Sequence, residues 1–194
     1  MPYMFGQPTR PDLVPFCFYE KAFTPEECEH IISCGLLLPK DSGTVINGKT
    51  QEVKNKQRLS EVSWIEWNPN IDWVFQKLER IVASANQARF GYALSGFGEP
   101  LQFTQYLGPG HHYDWHKDLG SGQYSIRKLS ITVQLSDESK YAGGDLEFFG
   151  SDTATPRSRG TVVVFPSYEV HRVTPIKSGT RYSLVGWVSG PPFA

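Results

Sequence analysis

From Leu101 onward the hydrophobic pattern repeats every second residue, which commits that half of the chain to sheet. Leu129, Ile131, Val133 and Leu135 alternate with Ser130, Thr132, Gln134 and Ser136, giving the segment one aliphatic and one polar face. Tyr182, Leu184 and Val188 alternate in the same way with Arg181, Ser183 and Trp187. Gly143-Gly144 interrupts the pattern before Leu146-Glu147-Phe148-Phe149, and Thr161 to Phe165 reads as a buried run. Several short strands punctuated by Gly and Pro predict a β-sandwich or jelly roll. If the aliphatic faces meet supporting helices, then Thr132, Gln134, Arg181, Ser183 and Trp187 line an interior. Such an interior is costly unless something polar fills it.

The helices are expected in the first half. Thr24-Pro25-Glu26-Glu27 predicts a helix start, with Thr24 as cap, Pro25 in the first turn and Glu27 completing a capping box. That helix runs through Cys28, Ile31 and Ile32 to stop near Gly35. A second is predicted from about Ile71 to Gln87, with Trp73, Val74, Leu78, Ile81, Val82 and Ala85 at helical spacing. Between them the polar stretch from Asp41 to Ser60 predicts a hairpin or a mobile loop that covers a site. The expected architecture is mainly β with supporting α-helices around a jelly-roll core. It forms one domain over 1–194, with 1–95 supporting the core and 96–194 forming it.

The chemistry-bearing residues fall on this frame. His116-Lys117-Asp118 is followed at a distance by His171 and then by Arg181. Residues i and i+2 of an extended segment point the same way, so His116 and Asp118 can grip one ion, and a distant His supplies a third ligand. Two imidazoles and one carboxylate on one face of a metal suit non-haem Fe(II), although the same donors also accept Mn, Co, Ni or Zn. Arg181 offers a planar, permanently charged fork for the carboxylate of an organic acid. Singly, each residue has an ordinary explanation: a surface pair, a strand-end histidine, a salt-bridged arginine. Their joint order outweighs those explanations.

Composition narrows the partners. The 194 residues are enough for one domain with a real core, and 12 Phe, 9 Tyr and 5 Trp supply bulk. A net charge of −1 offers no basic field for nucleic acid or anionic lipid. No stretch approaches a membrane span, and the segment MPYMFGQPTRPDLVPF has no basic-then-apolar signal pattern. Cys17, Cys28 and Cys34 are an odd number without paired spacing, which predicts buried thiols. A cytoplasmic protein is the expectation, and no feature sets its oligomeric state.

The segment Gln102-x-x-x-Tyr106-x-Gly108-x-x-x-x-Tyr113-x-x-His116-x-Asp118 resembles the metal-binding segment of the prolyl 4-hydroxylase group of Fe(II)/2-oxoglutarate oxygenases. Arg127-Lys-Leu-Ser130, Leu135-Ser-Asp137, Tyr141-Ala-Gly-Gly-Asp-Leu146 and Phe165-Pro-Ser continue the likeness. His171-Arg-Val-Thr-Pro175-Ile-Lys-Ser-Gly179-Thr-Arg181 is similar to the bacterial PKHD-type hydroxylases, and Arg58-x-Ser60 with Trp64 is a weaker upstream echo. The likeness covers about residues 101 to 188. It implies a double-stranded β-helix fold with Fe(II) bound by His116, Asp118 and His171. Arg181 would pair with the distal carboxylate of 2-oxoglutarate and Tyr106 would hydrogen-bond it, with Thr132 and Gln134 as further candidates. Oxygen would be the second cosubstrate, and ascorbate is a candidate reductant. A peptide or protein substrate is implied, with Tyr113, Trp187 and Arg58 as candidate contacts. His111 and His112 read as loop or supporting residues. Nucleic-acid demethylation is disfavoured because such relatives carry an arginine where this chain has Trp187. A small-metabolite oxygenase and an inactive metal-binding jelly roll remain as alternatives.

Overall fold

Thr24 starts the first helix as its side chain dictates. The Glu27 amide donates to Thr24 Oγ1 at 3.3 Å, and the Thr24 amide donates to Glu27 Oε2 at 2.7 Å. This reciprocal box satisfies two amides that a helix start otherwise leaves bare. The same Glu27 carboxylate accepts from Lys77 Nζ at 2.6 Å, so the cap also ties the two long helices together.

The computed structural model describes residues 15–42, 45–47, 50–52 and 57–192. In chain order the first half contains β1 (Cys17–Tyr19), α1 (Pro25–Leu36), β2 (Asp41–Ser42), β3 (Val45–Asn47) and β4 (Thr50–Glu52). It continues with β5 (Arg58–Leu59), β6 (Glu61–Ile65) and α2 (Asp72–Ala85). Next come β7 (Gly96–Phe97), β8 (Leu101–Leu107), β9 (His112–His116) and β10 (Arg127–Gln134). The chain ends with β11 (Tyr141–Gly143), β12 (Leu146–Phe148), β13 (Val162–Pro166), β14 (His171–Val173) and β15 (Ile176–Ser189). The second helix closes two residues before Gln87, passes into a π turn over Asn86–Phe90, and stops at Gly91 in the left-handed region. Among the described residues, no helix is long and apolar enough to cross a membrane.

Two antiparallel sheets form the body. The larger runs β1-β13-β10-β15-β8-β6-β2, with β7 and β11 also pairing β15, and the smaller runs β12-β14-β9-β5. Strands from before residue 96 (β1, β2 and β6) join the larger sheet, so supporting and core segments share one hydrogen-bonded layer. The stretch from 41 to 60 holds β2, the β3–β4 pair and β5, while 43–44, 48–49 and 53–56 lie outside the described residues. The proposed covering loop falls partly on those positions.

The alternation read from sequence sets the layers. Leu129, Ile131, Val133, Leu135, Leu184 and Val188 pack with Ile31, Val74, Leu78 and Val82 of the helices in one cluster. Each fully buried aliphatic side chain contributes about 1.5–3 kcal/mol. A one-residue slip of β10 would turn three of them, Leu129, Ile131 and Val133, away from the helices, so its register is firmly set. The polar faces of β10, β15 and β8 therefore turn toward the smaller sheet, and the site lies between the two.

Gly35 marks the closest approach of α1 to the sheet. A Cβ there would meet the Phe103 ring at 2.4 Å, and Phe103 is fully buried. Gly35→Ala is expected to destabilise the fold by about 1–3 kcal/mol. The midpoint of urea unfolding would fall with an unchanged slope, and an unchanged midpoint would show that α1 can shift freely.

Candidate active site

Two histidines are brought together by strand pairing. His171 opens β14 directly opposite His116, the last residue of β9. Asp118 is not on the strand, as i, i+2 spacing predicts, but in a bend two residues beyond it. The bend carries its carboxylate under both imidazoles: Oδ1 is 3.7 Å from His116 Nε2 and Oδ2 is 3.9 Å from His171 Nε2. One donor atom of each residue lies within 4.8 Å of the others, the only such group of three among the described residues.

The backbone selects the tautomers. His116 Nδ1 lies 2.8 Å from the Asp114 carbonyl and His171 Nδ1 lies 3.0 Å from the Glu169 carbonyl. A carbonyl can only accept, so each Nδ1 carries a proton, and the neutral form of each ring then presents its Nε2 lone pair to the centre. Burial, aided by the neighbouring His171, pushes the His116 imidazole well below its usual range and keeps it unprotonated. Burial opposes the charge of Asp118, yet His171, His116, the Ser130 hydroxyl and Arg127 hold its carboxyl below the usual range. Neutral imidazoles and an ionised carboxylate are the forms a metal requires.

Asp118 is held by residues that the sequence did not single out. The Ser130 hydroxyl is near enough to help hold the Asp118 carboxyl down, and Ser130 Oγ lies 3.0 Å from Ser167 Oγ. A carboxylate only accepts, so a hydroxyl beside Asp118 can serve it as a donor, with Ser167 behind Ser130. Both serines are fully buried. Ser130→Ala is expected to weaken metal binding by about 10–100-fold, as loss of a support to a ligand does elsewhere. Competition with a coloured chelator reads this directly, and an unchanged affinity would remove Ser130 from the support.

Arg127 Nη1 donates to the Asp118 carbonyl at 3.0 Å, while its Nε and Nη2 pair with Glu99. The guanidinium lies 3.9 Å from the centroid of the Trp187 ring and 4.5 Å from that of Tyr124. Parity with Leu129 would have placed Arg127 on the helix side. A register shift between Arg127 and Leu129 turns it into the cavity. Glu99 carries no pattern signal at all.

Arg181 is 1% exposed, and no carboxylate among the described residues pairs with it. Nη2 donates to Gln134 Oε1 at 2.9 Å and Nη1 to Ser183 Oγ at 3.4 Å, while Nε has no partner. Gln134 thus serves the arginine, and it is Thr132 that lines the cavity. Tyr106 pairs with Arg181 across the strands, with its ring 5.3 Å from the guanidinium. Gly144 leaves room for this arginine: at φ +68°, a Cβ would stand 2.4 Å from Ile176 Cδ1 and 3.0 Å from Arg181 Cδ.

The triad, Arg181, Tyr106, Thr132, Tyr113, Trp187 and Arg58 all line one cavity of about 480 Å³. Tyr113 stacks on His116 with ring centroids 3.4 Å apart, and Trp64 packs on Trp187. His112 bonds the Gly110 carbonyl through Nδ1 at 2.8 Å, and neither His111 nor His112 lines the cavity. A second depression of about 600 Å³, along Trp115, Phe149 and the loop after β12, holds none of these groups.

The donor set fits Fe(II), and the unsatisfied Arg181 beside it fits the distal carboxylate of 2-oxoglutarate. Fold and site together define a double-stranded β-helix with a two-histidine, one-carboxylate centre. The profile of the 2OG-Fe(II) oxygenase superfamily matches residues 101–189. A PKHD-type hydroxylase of Synechococcus sp. (strain CC9605) is 45% identical over 82 residues, covering 41% of this chain and 37% of that protein. One from Synechococcus elongatus (strain ATCC 33912 / PCC 7942 / FACHB-805) is 33% identical over 147 residues, covering 71% and 61%. The chain therefore spans under two thirds of these relatives. A Trichoplax adhaerens prolyl hydroxylase, solved with a hypoxia inducible factor oxygen degradation domain peptide fragment, shares the fold at TM-score 0.70 and 16% identity. The match covers 90% of this chain and 83% of that one. Residues 101–189 thus match the 2OG-Fe(II) oxygenase superfamily, the chain is similar in sequence to PKHD-type hydroxylases, and it shares its fold with a prolyl hydroxylase.

Proposed function

We propose that this chain is an Fe(II)- and 2-oxoglutarate-dependent dioxygenase that hydroxylates prolyl residues of a peptide or protein. The observation that carries this reading is a complete metal triad sharing one cavity with a buried arginine that lacks an anion. Fe(II), when bound, would supply oxygen activation: O2 is the oxidant, one of its atoms going into succinate as 2-oxoglutarate loses CO2 and the other turning a C–H bond into C–OH.

The protein's own part is holding and drying. His116, Asp118 and His171 would hold the metal through three donor atoms and leave its remaining positions to ligands. Arg181, steadied by Gln134 and Ser183, anchors the far end of the cosubstrate, with Tyr106 alongside. Tyr113 and Trp187 form aromatic walls that suit a pyrrolidine ring. Enclosure between two sheets limits water around the oxidant. The names of structural neighbours, prolyl hydroxylases, support the prolyl assignment, and those of the sequence relatives support hydroxylation.

The test is incubation with Fe(II), 2-oxoglutarate and a proline-containing peptide library, followed by mass spectrometry and succinate assay. Succinate together with peptides that gain one oxygen at proline is the expected result. Succinate without any modified peptide would move the substrate elsewhere, and no succinate under any condition would overturn the activity.

A further inference from the structure

Three arginines face the cavity, and the reading above accounts for two. Arg181 meets the cosubstrate, and Arg127 is neutralised by Glu99. Arg58 remains. It is 6% exposed, and no carboxylate among the described residues pairs with it. Its Nε–H donates to Ser60 Oγ at 2.8 Å, its guanidinium lies 4.5 Å from the centroid of the Tyr113 ring, and its Nη2 is buried with no partner. Tyr113 in turn stacks on His116. The unpaired charge is therefore one ring away from a metal ligand.

Burying a guanidinium costs several kcal/mol, and a hydroxyl and a ring face recover part of it. A neutral carbonyl would satisfy Nη2, but a charge-assisted bond to carboxylate is about twice as strong. Charge balance points the same way. In the loaded site Fe(II) cancels the 2-oxoglutarate dianion, Asp118 cancels Arg181, and Glu99 cancels Arg127. Lys117 at the rim is exposed to water. Arg58 is left over. The Trp187 Nε1–H is also buried without a partner in the same cavity, a second donor for an acceptor group.

We infer that the substrate presents a carboxylate to Arg58, beside the C–H bond that is oxidised. The inference rests on the oxygenase reading and narrows its substrate class. The carboxylate is either that of a free acid or an acidic side chain near the target residue of a peptide.

The test uses protein loaded with Mn(II) and N-oxalylglycine, an inert pair that fills the metal site and Arg181. Thermal stabilisation is followed with acid and amide partners: N-acetylproline against N-acetylprolinamide, other small acids against their amides, and proline peptides carrying Asp against Asn. The expected result is at least one acid that binds about tenfold or more tightly than its amide. That preference should vanish in Arg58→Met and partly return in Arg58→Lys, which a purely structural role would not produce. The arm that shows it identifies the source as free acid or peptide. Equal binding of acids and amides, no binding across the panel, or a preference surviving in Arg58→Met would overturn the inference. Failure of the oxygenase reading is separately visible, as absence of stabilisation by Mn(II) and N-oxalylglycine alone.

Discussion

Asp118→Ala is expected to abolish turnover and to weaken metal binding by more than the about 10–100-fold that loss of a mere support costs. Asp118 is the one anionic ligand, and it sits among Arg127, Arg181 and Arg58 on the cavity wall. Without it, a divalent cation faces two neutral imidazoles in a positively charged pocket. Two imidazoles alone also lose the one-face geometry that keeps the remaining positions open. The variant should stay folded, because Asp118 lies in a bend outside both sheets and the packed cluster on the helix side is untouched. Calorimetric titration with Mn(II) and a succinate assay check both parts. Full activity in a folded Asp118→Ala protein would mean that the ligand assignment is wrong.

Arg181→Met carries the second large effect, and it acts in two opposite directions. The KM for 2-oxoglutarate should rise at least about thirtyfold, since truncating one partner of a buried charge pair typically costs about 2–5 kcal/mol. The metal-free, cosubstrate-free protein should become more stable, because an unpaired buried cation is replaced by an apolar chain of similar length. Gln134 and Ser183 lose a donor in the exchange, which offsets part of that gain. Steady-state kinetics and thermal unfolding of the apo forms read the two effects separately. Unchanged cosubstrate affinity would move the anion site elsewhere.

The site was legible in unequal parts. His116, Asp118, His171 and Arg181 were readable because metal and carboxylate chemistry demand specific residue types, and strand parity gave the direction of Arg181. Tyr106, Thr132, Tyr113, Trp187 and Arg58 followed from the family likeness or from parity, and all of them line the cavity. Gln134 shares that parity, yet its amide is spent on Arg181. Arg127 carried no site reading of its own, and parity would not have supplied one, because the register shift before Leu129 leaves no mark in composition. Glu99, Ser130 and Ser167 support the centre through contacts between segments far apart in the chain, which no local pattern records.

The capping box, both long helices, the alternating strands and the order of the metal ligands were therefore determined by sequence alone. Each follows from interactions within a few residues or from a fixed two- or 3.6-residue period. Tertiary structure alone decided that Asp118 leaves its strand, that the Ser167–Ser130 chain and Arg127 converge on it, and that Arg58 is buried without an anion. Those outcomes depend on which strands pair and at what register, and register is settled by burying three aliphatic residues of β10 against helices more than forty positions away.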